Sequence, residues 1–350
     1  MIKNKRGFEF SFSWFFTILV GAIILFLAIY SATKLIDVGR GTQEAVGAKQ
    51  IGIILSPIET SLEDSKTATI SMTTETKIHN FCRPIGAFGY QDIALSFKSG
   101  VGTEAWRPVE GTKSSFHNKY LFSSSTVPDI QDTGSKEFYV LAKPFRFPFK
   151  IADILILWSK EDKYCFVNSP LEIEEELESI PELNNIELSP SVSSCADVSS
   201  KTVCFGTGGC DVDVKFGTIN SVYKKADSST VYFAEGTAPY GSSDKYALLY
   251  AAILSDKEIY ECQVRRLMGR AATLSSLYLL KSNYLSATPP PQGCGSSTLQ
   301  PDLSNYQNLA LSIKDSSSND VSIQLKNPNG IIKTVKNLEG KSAQLLCKLF

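Results

Sequence analysis

The most hydrophobic run in the chain comes almost at its start. Positions 14–30 read WFFTILVGAIILFLAIY, and no charged residue occurs anywhere from position 10 to position 33. A helix crosses the ~30 Å hydrocarbon core of a bilayer in about 20 apolar residues, so 10–33 predicts a transmembrane helix. Aromatic residues mark its two ends, Phe12, Trp14, Phe15 and Phe16 on one side and Tyr30 on the other, as at a lipid–water interface. The preceding RGFEFSFSW, 6–14, alternates with the period of a strand. The spanning helix begins within or just after it, so its rings read as interfacial and Glu9 as a favourable charge near a helix N-terminus. A cleaved secretory signal has an apolar region of about 7–15 residues and a small-x-small site. This run is longer, and Ser31 and Thr33 match such a site poorly. A retained anchor is the expectation.

After the span the pattern changes to a helical one. Ile51, Ile54, Leu55, Ile58 and Leu62 recur at spacings of three and four, predicting a helical stalk over 34–66. Gly39, Gly41, Gly47 and Gly52 weaken that helix and Pro57 is a point for a kink. Such a stripe packs on its own domain more often than on a partner.

Residues 67–168 read as the β-rich part of an exposed region. TATISMTTE, QDIALSF, EFYVLA and IADILILW are β-branched or apolar runs bounded by turn residues. KPFRFPFK, 143–150, has two prolines and suits an edge or a connection, with its Phe side chains in the core and Arg146 in water. Residues 169–350 read as an α+β part. A short helix over 169–183 starts at an S-x-x-E capping box, Ser169 to Glu172, with Pro170 in the first turn; its acidic EIEEELES run reads as a solvated face. VCFGTGGCDVDVKF reads as a turn leading into an alternating strand, with Asp211 and Asp213 on its polar face. A long helical region follows at about 244–286, first the all-apolar KYALLYAAIL, then a helix opened by a second capping box, SDKE at 255–258. That helix turns Ile259, Cys262, Leu267, Ala271, Leu274 and Tyr278 inward and Arg265, Arg266 and Arg270 outward. TPPPQGCG ends it. VSIQLK and IIKTVK flanking NPNG predict a C-terminal β-hairpin.

Composition narrows function more than it defines it. A formal net charge of −1 over 350 residues gives no basic stripe for a nucleic-acid partner. The two histidines, His79 and His117, leave little for His-based catalysis. No G-x-S-x-G, H-E-x-x-H, C-x-x-C or phosphate-cradling glycine pattern occurs, so no catalytic, cofactor-binding or metal-binding residues are assigned and no cofactor is expected. Arg265, Arg266 and Arg270 are a candidate anion patch, against the plainer reading of a solvated helix face. All eight cysteines, Cys82, Cys165, Cys195, Cys204, Cys210, Cys262, Cys294 and Cys347, follow the span. An even number confined to one side of a membrane segment reads as disulfides formed in an oxidising compartment. Eight cysteines allow 105 pairings, and connectivity stays open. Lys3, Lys5 and Arg6 place the N-terminus in the cytoplasm by the positive-inside rule, although Lys34 and Arg40 narrow the bias.

Three stretches resemble an uncharacterised family of single-span envelope proteins from small-genome archaea: KNKRGFEFSFSWFFTILVGAIILFLAIYSATKLI, NFCRPIGAFGYQDI and YAAILSDKEIYECQVRRLMGR. The resemblance implies an archaeal envelope location and no particular activity. The first thirty residues also resemble a class III signal of type IV pilins, with Arg6, Gly7 and Phe8 at the positions around the cut. That likeness implies processing between Gly7 and Phe8 and an apolar helix used as a filament core. Glu9 would be second in such a mature chain, whereas bacterial-type pilins carry the glutamate fifth, where this chain has Phe12.

The expectation is therefore an α+β protein of the cell membrane. It has a cytoplasmic leader (1–9), one transmembrane helix (10–33), a helical stalk (34–66) and a disulfide-braced extracellular domain in which β-sheet and helices mix. Its partners are the lipid bilayer and other envelope proteins or copies of itself, its role structural or adhesive. A pilin-like filament subunit and an anchored envelope hydrolase are the alternatives.

Overall fold

The computed structural model describes residues 12–59, 66–98, 106–109, 111–130, 132–197, 199–206, 208–237, 243–287, 296–316, 321, 324–327, 329–345 and 349–350. The first helix, α1 (Phe12–Glu59), runs unbroken for 48 residues. Its section Phe12–Leu35 is long and apolar enough to cross a membrane, and none of its strongest window is buried against the protein.

Beyond that section α1 joins the head of the molecule. Ala48, Ile51 and Leu55, three and seven residues apart, are fully buried. Gly47 and Gly52 set how close the helix comes. A Cβ on Gly52 would lie 2.1 Å from the Phe116 ring, and one on Gly47 would lie 2.6 Å from Leu95. The expected stalk over 34–66 is therefore corrected. From Gly41, which touches Val109 and Thr112, one face of the helix is a core element, because Ala48, Ile51, Leu55 and the glycines fit the head's own sheet, while Ile54 of the expected stripe is exposed. Leu62 lies outside the described residues.

That sheet contains β1 (Lys66–Arg83), β2 (Tyr90–Phe97), β3 (Ser114–Phe116), β4 (Leu121–Phe122), β5 (Thr126–Val127), β6 (Ser135–Arg146) and β7 (Lys150–Ser159). Its order is β3-β2-β1-β6-β7-β4, with β5 on β1. Every pairing is antiparallel except β4 with β7. In β6 and β7 both faces are covered. Phe138, Val140, Leu155 and Leu157 face α1, while Tyr139, Leu141, Ile154, Ile156 and Trp158 face the larger core. A strand buried on both faces reads as a continuous apolar run, which is what ILILW is. KPFR, expected at an edge or connection, belongs instead to the interior strand β6. Its Pro144 is tolerated because β1 pairs no further than Ala142, so β6 has a partner on one side only at that point. Phe145, Phe147 and Phe149 are buried as expected, and Arg146 is half-buried.

A second sheet holds β8 (Tyr164–Val167), β9 (Ile186–Ser189), β10 (Lys201–Phe205), β11 (Val212–Lys215), β12 (Asn220–Lys224) and β13 (Ser229–Phe233), in the order β13-β12-β11-β10-β8-β9. β9, β8, β10 and β11 are parallel and β11 to β13 form an antiparallel meander. The connection between the parallel strands β10 and β11 is only residues 206–211, against the dozen or more such a crossover usually takes. The Cys204–Cys210 disulfide closes it, so the bridge is local but the strands it joins are no hairpin. Cys165–Cys195 ties β8 to the segment after β9.

Helices fill the space against both sheets: α2 (Leu171–Glu178), α3 (Ala247–Leu254), α4 (Lys257–Ala287), α5 (Gln300–Asp315) and α6 (Ile331–Ser342). Every residue of α3 is buried. The single long helix expected at about 244–286 breaks at Ser255–Asp256, where Ser255 is extended and its hydroxyl donates back to the Ala251 carbonyl. The first expected capping box does not form either. Pro170 takes the N-cap position, and Ser169 Oγ donates to Glu174 instead. Nor is the acidic face of α2 wholly solvated: Ile173 and Leu177 pull it down, and the Glu176 side chain is 7% exposed.

The C-terminal hairpin is replaced by α6. Ile331, Thr334, Val335 and Leu338 are buried at helical spacing, so the period of 3.6 outweighs the β-branched composition of IIKTVK. Asn327 makes the turn before it, accepting the Gly330 N–H on its carbonyl and the Asn329 N–H on its side chain.

Candidate functional site

Two of the stretches singled out in the sequence, the β1–β2 loop at 84–89 and the first half of α4, meet in space. Cys82 at the end of β1 is bonded to Cys262 in α4. One turn along, Arg266 reaches the loop, and a turn further Gly269 and Arg270 do the same. Residues four apart share a helix face, so Cys262, Arg266 and Arg270 form one stripe. Glycine is required at two contacts. Gly89 has φ +60°, and a Cβ there would lie 2.5 Å from the Arg83 carbonyl; a Cβ on Gly269 would press on the Ala87 carbonyl at 3.1 Å.

Arg266 is the post on which this region is built. Its Nε donates to Phe88 O at 3.1 Å, its Nη1 to Lys119 O and Gln263 Oε1 at 2.8 Å, and its Nη2 to His117 O at 2.8 Å. The guanidinium also lies 4.9 Å from the centre of the Tyr120 ring. All four acceptors are neutral, and burial pulls its pKa from 12.5 down to about 10. The expected outward patch of three arginines is thus corrected: Arg266 is buried, and Arg265 is half-buried with Nε on the Lys314 carbonyl. Arg270, also half-buried, faces the loop. It lines a pocket of about 530 Å³ with Ile85, Phe88, Tyr90, His117 and Tyr120. The Tyr90 and His117 rings are 5.7 Å apart.

A second cleft, of about 580 Å³, lies where the two sheets and the α3–α4 junction meet. It gathers Asp129, Asp211, Asp227, Asp256, Lys201 and Lys224, a set that no spacing in the sequence announced. Each carboxylate is already engaged. Asp129 pairs with Lys201 at 2.9 Å, Asp211 accepts from Thr202, Asp227 from the Ser229 N–H, and Asp256 from the Ser125 N–H at 2.6 Å. Lys224 Nζ donates to the Ser255 carbonyl, and among the described residues no hydrogen bond joins it to a serine hydroxyl. Among the described residues this cleft therefore holds no hydrogen-bonded Ser–Lys224 pair.

Burial pulls the Lys224 pKa from 10.5 down to about 8, with Asp256 and Asp227 opposing. The folded value is below the unfolded one, so the charged lysine's penalty is in full force below pH 8. It fades as pH rises from about 8 to about 10.5. Lys224→Met should therefore raise stability by about 1–2 kcal/mol at pH 7, after loss of the Ser255 contact is counted, and by less at pH 10. Urea unfolding at the two pH values checks this; an advantage independent of pH would show that the ammonium is not its source.

Cys204, Cys210 and Asp213 lie close enough together to suggest a metal site. The two sulfurs are bonded to each other, and Asp213 accepts the Gly209 and Cys210 N–H groups at 3.0 and 2.9 Å. The carboxylate braces the loop. Among the described residues no cysteine is free, and Cys294, Cys347, Gly7 and Phe8 lie outside them. Comparison with known proteins finds no matching family model, no matching curated protein and no matching solved structure.

Proposed function

We propose that this is a single-span membrane protein that holds a disulfide-braced extracytoplasmic head rigidly above the bilayer, as a structural or adhesive component of the cell envelope. One observation carries the reading: a single unbroken helix is apolar and exposed over Phe12–Leu35 and then a buried core element of the head at Ala48, Ile51 and Leu55. A flexible tether would let the head wander; a helix shared between membrane and core fixes its distance and tilt. Lys3, Lys5 and Arg6 favour a cytoplasmic N-terminus, and the disulfides suit the oxidising side.

The test is fractionation and protease shaving of cells producing the native protein. The chain should resist carbonate extraction, and external protease should remove the head from intact cells. Release by carbonate, or a head protected until the cells are lysed, would overturn the proposal.

A second reading is a pilin-like filament subunit, favoured because the apolar half of α1 is exposed on all faces and its other half lies on an antiparallel sheet. N-terminal sequencing separates the two. A start at Phe8 means processing and a filament helix; a start at Met1 means a permanent anchor.

A further inference from the structure

Of the three pockets described above and along α1, the one at the β1–β2 loop carries charge of a single sign among the described residues. The groove between α1 and β1 holds Glu75 with Lys98 and Lys136, and the inter-sheet cleft mixes four aspartates with its lysines. Among the described residues the loop pocket contains Arg270 and no carboxylate.

Arg270 is half-buried, yet its Nε is sealed from solvent with no hydrogen-bond partner, and among the described residues no acceptor is bonded to the rest of its guanidinium. The carboxylate that feels its charge, Asp153, is already paired with Lys150 at 2.9 Å. Behind the pocket wall Arg266 adds a second positive charge whose four acceptors are neutral. A planar donor fork held without an acceptor in a positive, partly dry pocket matches a carboxylate or phosphate. The rest of the wall is rings, Phe88, Tyr90, His117 and Tyr120, the surface that packs against the flat face of a ring-bearing ligand. The volume, about 530 Å³, suits a molecule of one or two sugar rings.

We propose that this pocket binds an acidic saccharide, a carboxylate or phosphate carried on a sugar ring, with Arg270 taking the oxyanion and the aromatic wall taking the ring. On the anchored reading the pocket is far from the bilayer. Gly52, level with Phe116 beside β2, is already ~25 Å along α1 from Leu35, and the loop lies beyond it. The binding itself does not depend on that reading and is measured on full-length protein in neutral detergent.

The experiment is calorimetric titration with glucuronate, glucose 6-phosphate, glucose and inorganic phosphate. At least one acidic sugar should bind more than tenfold tighter than glucose, and tighter than phosphate alone, with the affinity falling as salt is raised. Arg270→Met should lose the binding tenfold or more while unfolding at the same or a higher temperature, since the side chain removed has no acceptor. Arg270→Lys should retain part of it. Absence of binding by both acidic sugars up to 10 mM, on the order of the weakest specific affinities, would overturn the proposal. So would equal binding of glucose, or an Arg270→Met variant that unfolds like the native protein and binds as well. Phosphate binding as tightly as glucose 6-phosphate would refute the role of the aromatic wall.

Discussion

Replacing Cys82 and Cys262 together by serine should cost about 5 kcal/mol, a fall of roughly 10–20 °C in the unfolding midpoint for a head of this size. The bridge closes a loop of 180 residues, and the entropy it removes from the unfolded chain grows with the logarithm of that length. The bridges of separation 30 and 6 nest inside it and shorten the effective loop by about a fifth, which hardly moves a logarithm. The matching Cys204→Ser/Cys210→Ser variant, with a separation of 6, should lose only about 2 kcal/mol. Thermal unfolding of both variants in the same detergent, followed by circular dichroism, reads the difference. Equal losses would mean that local packing, not chain entropy, sets the value of these bridges. The long bridge also has a local consequence. Without it the 84–89 loop is held on α4 by Arg266, Gly269 and Arg270, so weaker binding at the proposed acidic-sugar pocket should accompany the loss of stability.

How far the sequence announced this architecture differs from element to element. The apolar run at 14–30, the strand runs EFYVLA and IADILILW within β6 and β7, and the all-buried α3 were legible because burial demands an uninterrupted or periodic apolar pattern and leaves it in the sequence. The glycines of α1 were legible as glycines but not as contacts. Their cost to an isolated helix is local, whereas their use against Leu95 and Phe116 arises only when the sheet is folded. IIKTVK failed for a related reason. Over six residues β-branching and a helical stripe look alike, and only Leu338, one turn later, decides for the helix. The candidate site was half legible. Arg265, Arg266 and Arg270 stood out as a cluster, but their spacing could not say which would be buried. That depended on carbonyls at Phe88, His117 and Lys119, about 150 residues away or more. The lysines and aspartates of the inter-sheet cleft left no pattern at all, because they come from separate elements and converge only in space.

Glu176→Ala should destabilise the head by about 3–5 kcal/mol, close to the loss expected for the long disulfide. Lys143 projects from β6 into the larger core and is completely buried, where it meets the Glu176 carboxylate of α2. Tyr250 of α3 closes the group: its hydroxyl donates to the other Glu176 oxygen at 2.8 Å, and the Lys143 ammonium lies 5.2 Å from the centre of its ring. Burial, and then Glu176 itself, pushes the Tyr250 pKa well above its usual 10, so the tyrosine is a proton donor at any working pH. Removing Glu176 takes away the ammonium's nearest counter-charge among the described residues, with Asp244 at 3.8 Å, and leaves the Tyr250 hydroxyl without the carboxylate it donates to. A buried charge stripped of its nearest counter-charge is far more costly than the intact pair is favourable. The double variant Lys143→Met/Glu176→Leu, which removes both charges and keeps the volume, should therefore recover most of the loss. Denaturant unfolding of Lys143→Met, Glu176→Leu and the double closes the cycle. A double variant as unstable as the sum of the singles would show that the two side chains act independently. Recovery would show that this sheet and helix α2 are held together by apolar packing at Ile173 and Leu177, with the ion pair there to fix how they meet.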